Sequence, residues 1–183
     1  ISALPVVTRA MSEGTFRAVV STAITVAGRE HLQARFRGLS EKQVASEHLC
    51  MAQAIYYEAR GETAMGQLAV AEVVLNRVAD RRYPSSVCDV VFQGASKRGC
   101  QFSFACDGLS DIPAGTRTWK SAQALARYVM LDVKWDHLTG SATHYHADYV
   151  SPYWAPALEK ITTVGKHVFY RWLPRGEQHT RES

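Results

Sequence analysis

The chain has 183 residues, 46% of them hydrophobic and 21% charged, with a formal net charge of +4. These are ordinary values for one soluble globular domain with a core of its own, and they exclude a need for stabilising staples. The basic excess is mild and spread out, so it permits an anionic partner such as the bacterial envelope or nucleic acid without selecting either.

The chain starts at Ile1 rather than at a methionine, so an upstream signal peptide or membrane anchor is expected. Residues 1–45 are poor in aromatics and carry Arg9, Arg17, Arg29, Arg35 and Arg37. They read as an N-terminal arm, partly helical, either packed or partly mobile. The apolar run from Ala18 to Ala27 has ten residues, short of the roughly 20 that a membrane span needs.

The main domain is expected over residues 46–174. The stretch SEHLCMAQAIYYEARG predicts a helix, with Ser46 as N-cap, Leu49, Ala52, Ile55 and Tyr56 at helical spacing, and Gly61 as stop. TAMGQLAVAEVVLNRVADRR predicts a second helix capped by Thr63 and apolar nearly all round, the pattern of a buried central helix. The YPSS turn at 83–86 ends it. SVCDVVFQ reads equally as a short helix or a strand. GASKRGCQFSFACDG reads as a loop, and TWKSAQALARYVMLDV as a third helix. ATHYHADY alternates, and ITTVGKHVFYRW reads as two strands turning at Gly165 and Lys166. Residues 175–183 read as a frayed polar tail. The sum is an α+β chain, mainly helical, with a small β element.

Glu58 is the first candidate for chemistry. It falls in the last turn of its helix, at the negative end of the dipole, behind Tyr56 and Tyr57. Both placements raise a carboxyl pKa, and a carboxylic acid kept protonated near neutral pH is what a general acid requires. The plainer alternative is a solvated glutamate at a helix end. Glu72 sits inside the apolar helix, with Asn76 one turn on, so the two can share a face; Glu72 reads as a buried acid satisfied by hydrogen bonds at the foot of the cleft, in a supporting role with Asn76. In CQFSF an extended chain would put Gln101 and Ser103 on one face and Phe102 and Phe104 on the other. Polar groups beside flat rings suit a sugar groove; the alternative is a strand edge whose rings fill core.

HYHAD places His144, His146 and Asp148 on one face of a strand, which opens a rival reading as a zinc-dependent amidase. His31, His48, His137, His167 and His179 supply no second half-site. GxSxG, P-loop and GxGxxG motifs are absent, and Cys50 and His48 are two apart on a helix, where side chains do not meet. Interleaved basic and aromatic residues of a nucleic-acid module are also absent. The four cysteines, Cys50, Cys88, Cys100 and Cys106, are not in CxxC spacing. They leave two disulfides with three pairings, or buried free thiols.

Taken together, AIYYEARGETAMGQLAVAEVVLNRV, YPSSVCDVVFQ, CQFSFACDG, ATHYHA and VGKHVFY resemble the SleB/CwlJ family of bacterial cell wall hydrolases, the spore-cortex-lytic type. The resemblance runs in order from about Cys50 to Arg171, and the cysteine-bearing CQFSFACDG resembles the Gram-negative version. It implies a lysozyme-like, lytic-transglycosylase-related fold and cleavage of peptidoglycan glycan strands. It places the catalytic glutamate at Glu58 and groove positions at Gln101, Ser103 and Tyr145, to which Tyr57 and Phe102 are added as neighbours. Spore enzymes do not keep the two HYHAD histidines together, which argues against metal as the family's shared chemistry and leaves open a private metal site in this chain.

An ordinary glycosidase uses two carboxylates. Glu62, Glu72, Asp107 and Asp148 are the available seconds, and none is compelling. A lytic transglycosylase needs one, so that outcome is expected, with a hydrolytic muramidase or glucosaminidase, the zinc amidase and a non-catalytic binding module as alternatives. No cofactor is expected. The expected partner is peptidoglycan, joined by an envelope activator or a secretion-apparatus protein, with the enzyme acting as a monomer in the periplasm or cell envelope. That location favours disulfides, Cys50 with Cys88 and Cys100 with Cys106.

Overall fold

The computed structural model describes residues 4–96, 99–108 and 113–174. The tail expected at 175–183 lies outside them. Among the described residues there are six α-helices and a three-stranded sheet.

Helix α1 (Glu13–Val26) is capped by Ser12, and a short α2 (Ala34–Arg37) follows. Helix α3 (Glu41–Ala59) starts five residues before the expected Ser46. Ser40 and Gln43 form a capping box there, Ser40 Oγ accepting from Gln43 N and Gln43 Oε1 accepting from Ser40 N at 2.9 Å. That reciprocal pair satisfies two end donors at once, so the helix extends upstream to reach it. At the other end the helix stops at Ala59, with Arg60 as C-cap, one residue before Gly61.

Helix α4 (Ala64–Ala79) is capped by Thr63 and buried almost throughout from Leu68 to Leu75. Glu13 of α1 accepts a 3.0 Å hydrogen bond from Ala64 N, a carboxylate on the positive end of the helix. SVCDVVFQ resolves as helix α5 (Val87–Val91), because Ser86 caps it and the buried Glu47 of α3 accepts from Val87 N at 2.7 Å. A Cys50–Cys88 disulfide ties α5 to α3. Helix α6 (Arg117–Val129), capped by Thr116, lays Trp119, Ala122, Leu125 and Ala126 on the core.

Residues 4–40 share that core. Val7, Phe16, Val20, Leu32 and Phe36 are all buried in it, and α1 packs on α4 and α6. Val7 also bridges to Trp135, and Leu32 to Leu131.

Strands β1 (His144–Ala147), β2 (Glu159–Val164) and β3 (His167–Arg171) form an antiparallel sheet in the order β1-β3-β2, with the β2–β3 turn at Gly165 and Lys166 as the sequence predicts. Alternation sorts its faces. Tyr145 and Phe169 join the helical core, whereas Val168 and Tyr170 pack with Leu158 and Trp154 on the other side.

Candidate active site

Glu58 sits in the last turn of α3 and is half-buried. The Tyr145 hydroxyl donates to its Oε2 at 2.9 Å. Burial pushes the Glu58 carboxyl above its ordinary pKa, while the Tyr145 hydrogen bond and the charge of Arg77 pull it back. Tyr145 is itself pushed well up, first by burial and then by Glu58, so its hydroxyl keeps its proton and remains a donor. A half-buried carboxylic acid with a fixed hydroxyl donor can both give a proton and hold the negative charge that results.

Three side chains of α4, Glu72, Asn76 and Arg77, fix the chain that carries Tyr145. Glu72, 2% exposed, accepts from Leu138 N at 3.0 Å and from Thr139 N and Oγ1 at 2.7 Å each, and pairs with His137 Nδ1 at 2.6 Å. Asn76 Nδ2 donates to Gly140 O at 2.8 Å and Ala142 O at 2.9 Å. Arg77 Nε donates to Thr143 O at 2.7 Å. Glu72 and Asn76 therefore hold a loop rather than face Glu58, and both line a separate cleft of about 750 Å³ with Gln33, Arg35 and Trp135.

The CQFSF stretch is not extended. Its second half is a 3₁₀ turn, Ser103–Cys106, inside a Cys100–Cys106 disulfide whose Cα atoms are 6.0 Å apart. Six residues of strand would span about 20 Å, so the bridge forces the turn. The sorting of side chains survives: Gln101 and Ser103 are exposed, Phe102 and Phe104 buried. Phe104 stacks on Tyr57 at 4.6 Å, and Phe102 lies under the Arg77 guanidinium at 5.4 Å. Phe102 thus builds the wall behind the site and offers substrate no open face. Arg60 caps the same wall, over Tyr56 at 5.1 Å.

The HYHAD histidines share a sheet face but are engaged separately. His146 uses both ring nitrogens, with Tyr170 Oη at 2.9 Å and Ala147 O at 2.8 Å. His144 Nδ1 meets Thr143 Oγ1 at 3.0 Å, and its ring lies 5.1 Å from Trp172 and 5.4 Å from Trp154. Burial, with Arg77 and Arg82 nearby, lowers His144 to about 4. Asp148 is exposed beyond the strand end. Among the described residues no three His, Cys, Asp or Glu side chains converge as a metal-ligand set.

Of the other acids, Glu62 accepts from Lys166 N at 3.1 Å, and Asp107 is exposed. Arg77 is the residue of this site that pattern reading passes over. Its signal is the one that singled out Glu72: a charged side chain on an inward position of a buried helix.

A family model described as cell wall hydrolase matches residues 61–170, so Glu58 stands just ahead of the matched span. A spore cortex-lytic enzyme of Bacillus cereus is 34% identical over 122 residues, which is 65% of this chain and 42% of the relative. Another, from Halalkalibacterium halodurans, is 34% identical over 121 residues, or 33% of the relative. The chain thus spans well under half the length of these curated relatives. Among solved structures, the catalytic domain of the germination-specific lytic transglycosylase SleB from Bacillus anthracis aligns with a TM-score of 0.56 at 31% identity, covering 73% of this chain and 98% of that one. The catalytic domain of Bacillus cereus SleB aligns with a TM-score of 0.54 at 28% identity, covering 76% and 98%. The mainly helical fold with a small sheet is therefore that of the SleB catalytic domains.

Proposed function

This chain belongs to the cell wall hydrolase family, and on that premise we propose that it cleaves peptidoglycan glycan strands as a lytic transglycosylase. The observation that carries the reading is Glu58: one carboxyl at a helix end, raised by burial and held by Tyr145. The similarity to the Bacillus anthracis protein, the catalytic domain of a lytic transglycosylase, supports the same class.

In the proposed reaction Glu58 protonates the glycosidic oxygen and the bond to the muramic acid C1 breaks. The resulting Glu58 carboxylate then takes the proton of that sugar's C6 hydroxyl, whose oxygen closes on C1 to give a 1,6-anhydro end. No water is consumed, and Glu58 ends protonated as it began. Gln101 and Ser103 are exposed beside the Tyr57–Phe104 stack and would bind the sugar's amide and hydroxyl groups. Tyr57 would supply a flat ring, and Tyr145 would orient Glu58. The reading calls for no cofactor.

A hydrolytic outcome would need a second carboxylate about 5–9.5 Å from the first. Glu62 and Glu72 instead accept backbone N–H groups of Lys166, Leu138 and Thr139, which supports the single-acid reading. The boundary expected at residue 46, with 1–45 as an arm, falls inside α3, so we assign the catalytic domain to residues 41–174, with residues 4–40 packed on the same core. Two disulfides suit a protein working outside the cytoplasmic membrane, in the periplasm or cell envelope. The partner is peptidoglycan, engaged by a monomer; an envelope activator or secretion-apparatus protein would be additional.

Mass spectrometry of digested peptidoglycan, with Glu58→Gln in parallel, tests the reading. Anhydro-muropeptides that vanish in the variant are expected. Reducing-end products one water heavier would make the enzyme a hydrolase, and released stem peptides lost on adding a chelator would make it an amidase.

A further inference from the structure

A groove of about 930 Å³ opens where the chain leaving α4 meets the chain leaving β3. Arg81, Arg82 and Arg171 line it against a single acid, Asp80. The cleft of about 750 Å³ that shares Asn76 with it sets Arg35 and Lys134 against Glu72 and Asp132. That cleft selects no charge, whereas the larger groove selects an anion. Its three arginines differ in availability. Arg82 is turned onto Asp80, Nε to Oδ1 at 2.9 Å, with its guanidinium 5.2 Å from the Trp172 ring centre. Arg171 pairs with Glu159 at 2.8 Å, both side chains well exposed. Exposed pairs of this kind hold weakly, so a ligand carboxylate can take the place of Glu159. Arg81 is exposed, and its side chain has no partner among the described residues. Trp172 supplies the one large apolar surface. It is 38% exposed, yet its ring is fixed: Nε1 donates to Tyr83 Oη at 3.1 Å, and its edge meets His144 at 5.1 Å.

We propose that this groove binds the acidic stem peptide carried by the muramic acid sugar, a reading that rests on glycan cleavage at Glu58 as proposed above. A stem peptide presents several carboxylates and the methyl groups of its alanines. Arg81 and Arg171 take the carboxylates, since a guanidinium matches a carboxylate with two parallel N–H donors. The fixed Trp172 ring gives the methyl groups an apolar wall. The spacing to the reaction centre suits such a substrate. Thr143 lines the groove and stands two residues before Tyr145, whose hydroxyl meets Glu58. Thr143 N donates to Tyr170 O, so the chain is already paired as strand there, and two residues of strand cover about 7 Å. A peptide of about four residues, at roughly 3.3 Å each, spans that and more. The stem leaves from the same sugar whose C1 reacts, so a sugar held at Glu58 brings its stem within reach of the arginines. The groove thereby distinguishes peptide-bearing glycan from bare glycan.

Titration calorimetry on the Glu58→Gln protein tests this, with two ligands: a disaccharide carrying its stem peptide and the same disaccharide without it. The stem should lower Kd by about tenfold, the scale of one or two exposed charge-assisted hydrogen bonds. The gain should shrink as salt rises from about 0.05 to about 0.5 M. Adding Arg81→Glu should remove most of it, and adding Arg81→Lys should leave a larger part. Arg81 is exposed, so melting temperatures of both variants should match that of their parent. Equal Kd values with and without the stem overturn the proposal, and so does a gain that survives Arg81→Glu. A short oligonucleotide that binds as tightly as the stem-bearing disaccharide would make the groove a general polyanion site, which overturns it too. No bond is cleaved in this measurement, so it reads stem recognition whether or not anhydro ends form. Failure of the glycan-cleavage reading shows instead in the muropeptide products.

Discussion

Tyr145 and Glu58 stand 87 residues apart in sequence and meet at 2.9 Å, hydroxyl to carboxylate. The bond favours the charged form of Glu58 and opposes the burial that favours the neutral one. Tyr145→Phe should therefore raise the Glu58 pKa. A hydrogen bond to a charged group contributes about 1.5–3 kcal/mol, so kcat should fall roughly 10- to 100-fold and the basic limb should move to higher pH. A rate–pH series on peptidoglycan checks both, and a fall in kcat with no change of limb would remove Tyr145 from control of the proton.

Glu58→Gln should lower activity by about 10²–10⁴-fold, the range for a lost general acid. It should not destabilise the fold. Because the folded pKa lies above the ordinary carboxyl value, the native state holds this proton more tightly than the unfolded chain does. Stability from this group is complete below the ordinary carboxyl pKa and is lost as pH rises through the raised one. Melting temperatures measured from pH 4 to 8 should accordingly turn in favour of Glu58→Gln as pH increases. A variant that melts lower than wild type at every pH would contradict the buried-acid account.

Asn76 reaches no part of Glu58, yet its two bonds to Gly140 and Ala142 hold the chain that enters β1 at His144. Asn76→Ala should cost about 1–3 kcal/mol, the loss of two partly buried hydrogen bonds. It should also reduce activity, because Tyr145 loses its fixed approach. Urea unfolding gives the first quantity and wall-clearing assays the second. Full activity in a destabilised variant would show that β1 is positioned by the sheet alone.

Both disulfides bear on the site, at different ranges. The Cys50–Cys88 bridge closes 38 residues and joins α3 to α5, whereas Cys100–Cys106 closes 6 and shapes the turn carrying Gln101 and Ser103. Loop-closure entropy assigns about 4 kcal/mol to the first and about 2 kcal/mol to the second. Replacing Cys50 and Cys88 by Ala should chiefly lower the melting temperature. Replacing Cys100 and Cys106 should chiefly raise KM, since Phe104 would lose its fixed stack on Tyr57. Thermal melts and saturation kinetics on the two pairs separate these effects.

Much of this was legible in sequence where a local rule is strong. Thr63 capped its helix, the Gly165–Lys166 turn joined two strands, and both cysteine pairings hold. The start of α3 was not legible, because Ser40 and Gln43 outcompete Ser46 only through a reciprocal pair of bonds. The extended reading of CQFSF failed because a covalent closure overrode alternation. Arg77 carries the same local signal as Glu72, a charge on an inward helix position, but its partners Thr143, Tyr83 and Phe102 are brought to it only by the fold.

Gly165 joins β2 to β3 in the left-handed region, at φ +56. An alanine there costs about 1–2 kcal/mol in backbone strain. Its Cβ would also run into the Glu62 carboxylate, which accepts the 3.1 Å hydrogen bond from Lys166 N. One of the two must then move, and the next residue, His167, packs edge-on against Tyr145 at 5.1 Å. Gly165→Ala should thus cost both stability and activity. Gly140 provides the control, at φ +57 with open space around its missing Cβ, so Gly140→Ala should show backbone strain alone. Adding Glu62→Ala to Gly165→Ala removes the collision but not the strain, and should recover the difference between the two glycine variants. Chemical denaturation of wild type, Gly165→Ala, Glu62→Ala and their double, with Gly140→Ala beside them, closes the cycle. Equal costs at Gly165 and Gly140, with no recovery on removing Glu62, would show that the carboxylate does not hold the hairpin against the end of α3.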